Sequence, residues 1–219
     1  MDRIEVVQLM QTQGMVPLFF NEDVELCKQV VKACYDGGAR LLEFTNRGYF
    51  AHEIFSELNK FVLKELPGMA LGIGSVTDAG TASIFMQCGA QFIVTPALRD
   101  DIAAVCNRRK VLFAPGCGSL SEIGKAEEMG CEVVKLFPGS IYGPKFISSI
   151  RAPQPWTKIM PTGGVAPTEE NLKGWFDAGA VCVGMGSKLI SKEIVKNKDF
   201  EKLTQLVKDT LALIQKIRN

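Results

Sequence analysis

The run "VVKLFPG" at positions 133–139 has the make-up of a buried strand entering a turn, with Lys135 in its middle. An ammonium group among apolar neighbours loses its hydration, so it must reach water, find a partner, or lower its pKa and stand as a neutral amine. The last outcome makes a nucleophile. A neutral lysine attacks a carbonyl carbon to give a Schiff base, and the protonated imine then withdraws electrons from the neighbouring bond. That chemistry needs a proton carrier, and "LEFTNRG" offers Glu43 as general acid or base. Arg47, four residues further on, carries the forked guanidinium that grips a carboxylate through two hydrogen bonds, and its charge depresses the pKa of a nearby amine.

Other polar or bare positions close further apolar runs: Ser75 in "GIGS", Thr162, Gly163 and Gly164 in "MPTGGV", and Gly184, Gly186 and Ser187 in "GMGS". Free backbone N–H groups at such places bind anions, phosphate above all. Each residue also has a plain structural explanation. A strand glutamate can be the buried partner of an arginine, glycines permit turns, and Ser187 can cap a following helix.

Composition narrows the partners. The chain has 219 residues, 47% hydrophobic and 22% charged, which suits one large core and a single domain over 1–219. Lys and Arg number 25 against 24 Asp and Glu, so a net charge of +1 sets up no general field for nucleic acid or a membrane surface, and any anion must be held locally. Seven cysteines, an odd number without a C-x-x-C pair, point to reduced thiols in a cytoplasmic protein rather than disulfides or a zinc site. The single histidine, His52, leaves no His-rich metal centre and reads as a polar group near a helix start, so no metal or other cofactor is expected. The opening "MDRIEVVQLM" is too charged for a secretory signal, and no run reaches the roughly 18 apolar residues of a membrane helix.

The positioning elements alternate along the chain. Eight short apolar runs read as strands: "MVPLFF" (15–20), "LLEFT" (41–45), "MALGIGS" (69–75), "FIVTP" (92–96), "VLFAPG" (111–116), "EVVKLFP" (132–138), "KIMPTGG" (158–164) and "VCVGMGS" (181–187). Amphipathic stretches lie between them, with helix ends marked at Ser119, Gly130, Thr168 and Gly179, an extra helix over "IEVVQLMQTQG", and a last one carrying Phe200 to Ile214. Strands apolar along their whole length indicate a parallel sheet covered by helices. Eight such units predict an α/β fold, a (β/α)8 TIM barrel with an extra N-terminal helix, in preference to an open doubly wound sheet. A barrel gathers its site at the C-terminal ends of the strands and often binds phosphate after the last two, which is where Gly163, Gly164, Gly184, Gly186 and Ser187 fall.

In this order, "EFTNRG", "GIGSVTDAG", "FIVTPAL", "PGCGSLSEI", "VVKLFPG", "GPKFI", "MPTGGV" and "GMGS" resemble the motifs of the class I 2-keto-3-deoxy-6-phosphogluconate (KDPG) aldolases, also called 4-hydroxy-2-oxoglutarate aldolases. The resemblance implies a barrel, usually a homotrimer, that splits a keto-acid phosphate into pyruvate and glyceraldehyde 3-phosphate, and the shorter hydroxy-keto diacid into pyruvate and glyoxylate. By it, Lys135 matches the Schiff-base lysine and Glu43 the general acid/base. Arg47 and Ser75 match the carboxylate-binding residues, Thr162, Gly163, Gly164 and Ser187 the sugar and phosphate loops, Pro96 the proline after the fourth strand, and Phe137 the aromatic lining beside the lysine. Two departures retain the hydroxyl: Ser75 and Ser119 stand where many relatives carry threonine. "FPGSIYGP" lacks an acidic residue found in some members and shares its pattern with galactonate-specific relatives, which keeps a 2-keto-3-deoxy-6-phosphogalactonate aldolase as the alternative. An epimerase or isomerase using Lys135 only as a charge, and a sugar-phosphate sensor, are the readings from other classes.

Overall fold

The computed structural model describes all 219 residues, Met1–Asn219. The chain runs α1 (Arg3–Gln13), β1 (Met15–Phe19), α2 (Val24–Asp36), β2 (Leu41–Thr45), α3 (Ala51–Glu65), β3 (Ala70–Gly74), α4 (Ala79–Gln87), β4 (Phe92–Val94), α5 (Asp100–Arg109) and β5 (Leu112–Ala114). It continues β6 (Gly116–Cys117), α6 (Leu120–Glu128), β7 (Val134–Leu136), α7 (Gly139–Arg151), β8 (Ile159–Pro161), α8 (Glu169–Asp177), β9 (Val183–Met185), α9 (Lys192–Asn197) and α10 (Phe200–Arg218). This is an α/β fold with parallel strands flanked by helices. None of its helices is long and apolar enough to cross a membrane.

Helix ends follow the capping chemistry of the sequence. Asp2 and Glu5 form a reciprocal capping box at α1, Asp23 accepts from the backbone of Glu25 and Leu26, and Ser119 accepts from that of Glu122. At α6 the return bond departs from the expected box: the Glu122 carboxylate accepts from the Gly118 N–H and the Ser119 hydroxyl. Ser187 caps nothing, because Ser191 accepts from Ile194 at the start of α9.

The strands form two sheets, one of six in the order β5-β4-β3-β2-β1-β9 and one of three in the order β6-β7-β8. This differs from a single ladder of eight, and Pro115 is the physical cause at one junction. It separates β5 from β6 and offers no N–H to continue pairing, while its carbonyl accepts from the Lys135 N–H at 2.8 Å. At the other junction the sheets meet through a bridge between Thr162 and Gly184 and a 3.0 Å bond from the Val181 N–H to the Ile159 carbonyl.

Most of the core, a cluster of 49 buried residues, lies between strands and helices. A second cluster of 13 joins Val16, Leu41, Phe92, Leu112 and Met160 from both sheets to Val6, Val7 and Met10 of α1. Those contacts fall near the starts of the strands, so α1 covers their N-terminal ends and leaves the C-terminal ends clear. Arg3 fastens that cover through an ion pair to Glu132 at 2.6 Å and hydrogen bonds to Asn107 and the Gly130 carbonyl.

Phe92 fills this inner cluster against a bare stretch of β3, where a Cβ on Gly72 would overlap its ring. Gly72→Ala is therefore expected to destabilise the fold by about 1–3 kcal/mol through overpacking. Urea unfolding measures this, and Phe92→Leu in the same chain should return part of the loss.

Candidate active site

Lys135 sits in the middle of β7, paired in register with Gly116 and Met160, and is only 6% exposed. Its Nζ lies 4.8 Å from the centroid of the ring of Phe137, the residue that follows the strand. Burial lowers the amine's pKa, the Glu43 carboxylate opposes that shift, and the Arg47 guanidinium adds to it. The ring's negative face favours the ammonium form, so Phe137 moderates the effect of burial.

Glu43 occupies the centre of β2 between Leu18 and Gly72 and is 1% exposed. Burial raises its pKa, against the pull of Lys135 and Arg47. Its Oε2 has no hydrogen-bond partner, a costly state for a buried carboxylate that a bound proton or a ligand's hydroxyl relieves. The carboxylate finds room only because β3 is bare beside it: a Cβ on Gly74 would overlap Oε1. Lys135 and Glu43 make no direct ion pair within 4.0 Å, which leaves both groups free for a third.

Arg47 follows β2 on a short loop tied to the end of β3, the Asn46 N–H donating to the Gly74 carbonyl at 2.8 Å. Gly48 lets this loop settle on Phe20, whose ring a Cβ there would meet. The Arg47 Nε donates to Ser75 Oγ at 3.5 Å, and Ser75 adopts a left-handed backbone with φ of 60°. A non-glycine residue in that region stores strain, which is characteristic of positions aimed at a ligand.

Across the site, Thr162 is 6% exposed and its Oγ1 is a second buried atom without a partner, resting where a Cβ of Gly184 would be. Gly163 and Gly164 follow with φ of 92° and 75°, a path open to glycine. Asn171 of α8 holds that turn by donating to the Gly164 carbonyl at 3.1 Å and accepting from the Ala166 N–H at 2.8 Å. The start of α7 presses against it, with Ser140 beside Gly164.

A cavity of about 800 Å³ opens above these groups. Arg47, Phe137, Thr162, Gly163, Gly164, Gly184, Gly186 and Ser187 all line it. Lys135 and Glu43 do not. Both are buried, and Phe137, whose ring the Lys135 amine faces, is a lining residue. Ser75 reaches the site through Arg47, whereas Pro96 is exposed at the end of β4, outside the lining, with its carbonyl over Gly116. His52 is exposed on α3 and takes no part.

Gly74, Asn171 and the lysines 188, 192, 196 and 198 of the cavity lining escape a reading of the sequence alone. For Gly74 the "G-I-G" spacing inside a strand was the available signal. The other conspicuous nucleophiles are inert: burial pushes the Cys34 and Cys182 thiols up to about 12.

Residues 6–206 match the model of the KDPG and KHG aldolase family. The chain belongs to that family. A 2-dehydro-3-deoxy-phosphogluconate aldolase of Pseudoalteromonas atlantica is 30% identical over 203 residues, 92% of each chain. The 2-dehydro-3-deoxy-6-phosphogalactonate aldolase of Escherichia coli K12 is 33% identical over 120 residues, 54% of this chain and 58% of its own. The crystal structure of the 2-keto-3-deoxy-6-phosphogluconate aldolase of Zymomonas mobilis ZM4 with 3-phosphoglycerate superposes with a TM-score of 0.81 at 26% identity, covering 94% of both chains.

In this aldolase the opposite influences of Glu43 and Arg47 on Lys135 are separable. The acetylation rate of Lys135 against pH, followed by mass spectrometry, should level off below the ordinary lysine value of 10.5. Removing the anion in Glu43→Gln should move the midpoint further down, and removing the cation in Arg47→Met should move it up. Shifts of equal sign would show that neither charge acts on the amine as described.

Proposed function

We infer that the chain cleaves 2-keto-3-deoxy-6-phosphogluconate to pyruvate and glyceraldehyde 3-phosphate, and 4-hydroxy-2-oxoglutarate to pyruvate and glyoxylate, through a Schiff base on Lys135. One observation carries the assignment: a buried lysine of lowered pKa on a strand beside a cavity lined by cations and bare glycines, with a buried unpartnered carboxylate nearby. Neutral Lys135 adds to the C2 ketone and water departs as the Glu43 carboxyl gives up a proton, directly or through water, leaving a protonated imine and the Glu43 carboxylate. Glu43, directly or through water, takes the proton of the C4 hydroxyl as the C3–C4 bond breaks, and the bond's electrons flow into the imine to form an enamine. The aldehyde leaves. Glu43 returns the proton to C3, and water releases pyruvate and regenerates the amine.

Arg47 and Ser75 hold the substrate carboxylate in this reading, and Thr162 a hydroxyl of the sugar chain. Gly163, Gly164, Gly184, Gly186 and Ser187 receive the phosphate, Phe137 lines the pocket, and Pro96 shapes its rim. The phosphorylated ligand of the Z. mobilis relative supports a phosphate end. Cleavage of the galactonate epimer is the second reading, favoured by the E. coli relative over half the chain.

The same proposal covers the finer architecture: one domain and one eight-stranded barrel, β5 and β6 being a single strand interrupted at Pro115. The Thr162–Gly184 bridge, the Lys135–Pro115 bond and the inner cluster shared by both sheets support it. Seven unpaired thiols support a cytoplasmic setting. Exposed Tyr49, Phe50, Ile141 and Trp156 support subunit contacts such as a homotrimer needs.

Borohydride added with pyruvate should inactivate the wild type and increase the mass of the peptide bearing Lys135. Lys135→Met should take up no label, and persistent labelling would place the nucleophile elsewhere. Glu43→Gln should keep the label while exchange of the pyruvate methyl protons slows by on the order of 10²–10⁴.

For the phosphate end, Gly164 is a poor probe, because its positive φ and its contact with Ser140 make any side chain disruptive. Ser187→Ala removes one hydrogen bond to a charged group, worth about 1.5–3 kcal/mol. It should weaken phosphorylated substrates and spare 4-hydroxy-2-oxoglutarate. Equal losses in KM for both would assign these loops to support of the fold.

A further inference from the structure

The cavity lining holds a charge pattern that the aldol cycle leaves unused. Its 20 residues include Arg47, Lys188, Lys192, Lys196 and Lys198 and not one Asp or Glu. In a chain of net charge +1 this is a strong local concentration. None of the four cavity lysines is ion-paired, a state shared by surface lysines such as Lys110 and Lys145, so what distinguishes them is their gathering with Arg47 around one cavity that no acid lines. The acids nearest in sequence make no ion pair with them and stand outside the lining: Glu193 lies on α9, and Asp199 accepts from the Lys202 N–H and shares a neighbouring depression with Lys198 and Glu201.

Local structure gives these positions little reason to be cationic. Lys196 and Lys198 close α9, where a positive charge suits the helix dipole, but Lys192 opens it, where a positive charge opposes the dipole. Lys192 and Lys196 are also one turn apart, a spacing at which like charges repel. The helix gains nothing from this arrangement, whereas an anion between the lysines would favour it.

We propose that Lys188, Lys192, Lys196 and Lys198 form an outer anion-capture site, which draws the substrate's phosphate into the cavity before the glycine loops take hold of it. The proposal rests on the phosphorylated-substrate reading above and adds residues that set preference for a dianionic phosphate over an unphosphorylated keto acid. Long-range attraction of this kind raises encounter rates by about 10–10³ and fades as salt shortens the Debye length.

The test compares wild type, K192Q/K196Q and K202Q/K208Q, the last pair removing the same charge from α10 outside the cavity. Calorimetric titration with inorganic phosphate at low ionic strength should show affinity reduced about tenfold or more in K192Q/K196Q and unchanged in K202Q/K208Q. In turnover, kcat/KM for the phosphorylated substrate should fall by a similar factor in K192Q/K196Q with kcat retained. The deficit should shrink as salt rises, while 4-hydroxy-2-oxoglutarate should lose less. Wild type without measurable phosphate binding, equal affinity in all three proteins, or equal loss in both double variants overturns the capture site. Failure of pyruvate trapping in the wild type would instead overturn the aldolase reading, and the phosphate titration would still judge the lysines.

Discussion

Everything in this site depends on keeping the Lys135 amine dry. At 6% exposure it has lost most of its water, and its pKa falls for that reason before any neighbour acts. A neutral amine is the reactive species in imine formation, so in the proposed reaction the burial that costs stability also supplies the nucleophile. Glu43 suffers the converse, since burial favours its protonated form. Two buried groups are thus each destabilised in their ordinary charge state, and each charge partly offsets the cost of the other.

The surrounding fold maintains this condition from both ends. α1 covers the starts of the strands with Val6, Val7 and Met10, so solvent approaches only past the C-terminal ends. There Phe137, whose ring the amine faces, lines the cavity. Arg47 and Ser75 are joined by a hydrogen bond on one side, and the Gly163–Gly164 turn is latched by Asn171 on the other. In the proposed reaction these are the contacts for the two charged ends of a long substrate, with Lys135 and Glu43 acting on the middle of its chain.

Local signals in the sequence carried well. "LLEFT" is a strand over 41–45 to the residue, because a fully buried parallel strand needs an unbroken apolar run. Lys135 stood out for the same reason, being the charge that breaks such a run. Most strands are shorter than their apolar runs, since residues such as Thr95 and Pro96 leave the ladder to form the loops of the rim. What stayed hidden is interaction across space. Asn171 reads as an ordinary polar residue of a helix until it is seen reaching the Gly164 carbonyl, and nothing in the order of residues shows that Lys188 and the lysines of α9 share a cavity with Arg47. The break at Pro115 was visible as a residue, but its effect on the hydrogen-bond ladder needed the neighbouring strands.

The empty space on Gly74 has a consequence for how such a site can change. The Glu43 carboxylate occupies the volume that any side chain at position 74 would require, so the two positions are strongly epistatic. Substitutions at 74 that look mild in isolation act first on the orientation of the Glu43 carboxylate, and a different side chain at 43 meets a wall cut to the shape of glutamate. Redesign toward a new electrophile has to vary both positions together, because each single step passes through a protein in which the carboxylate has already been displaced.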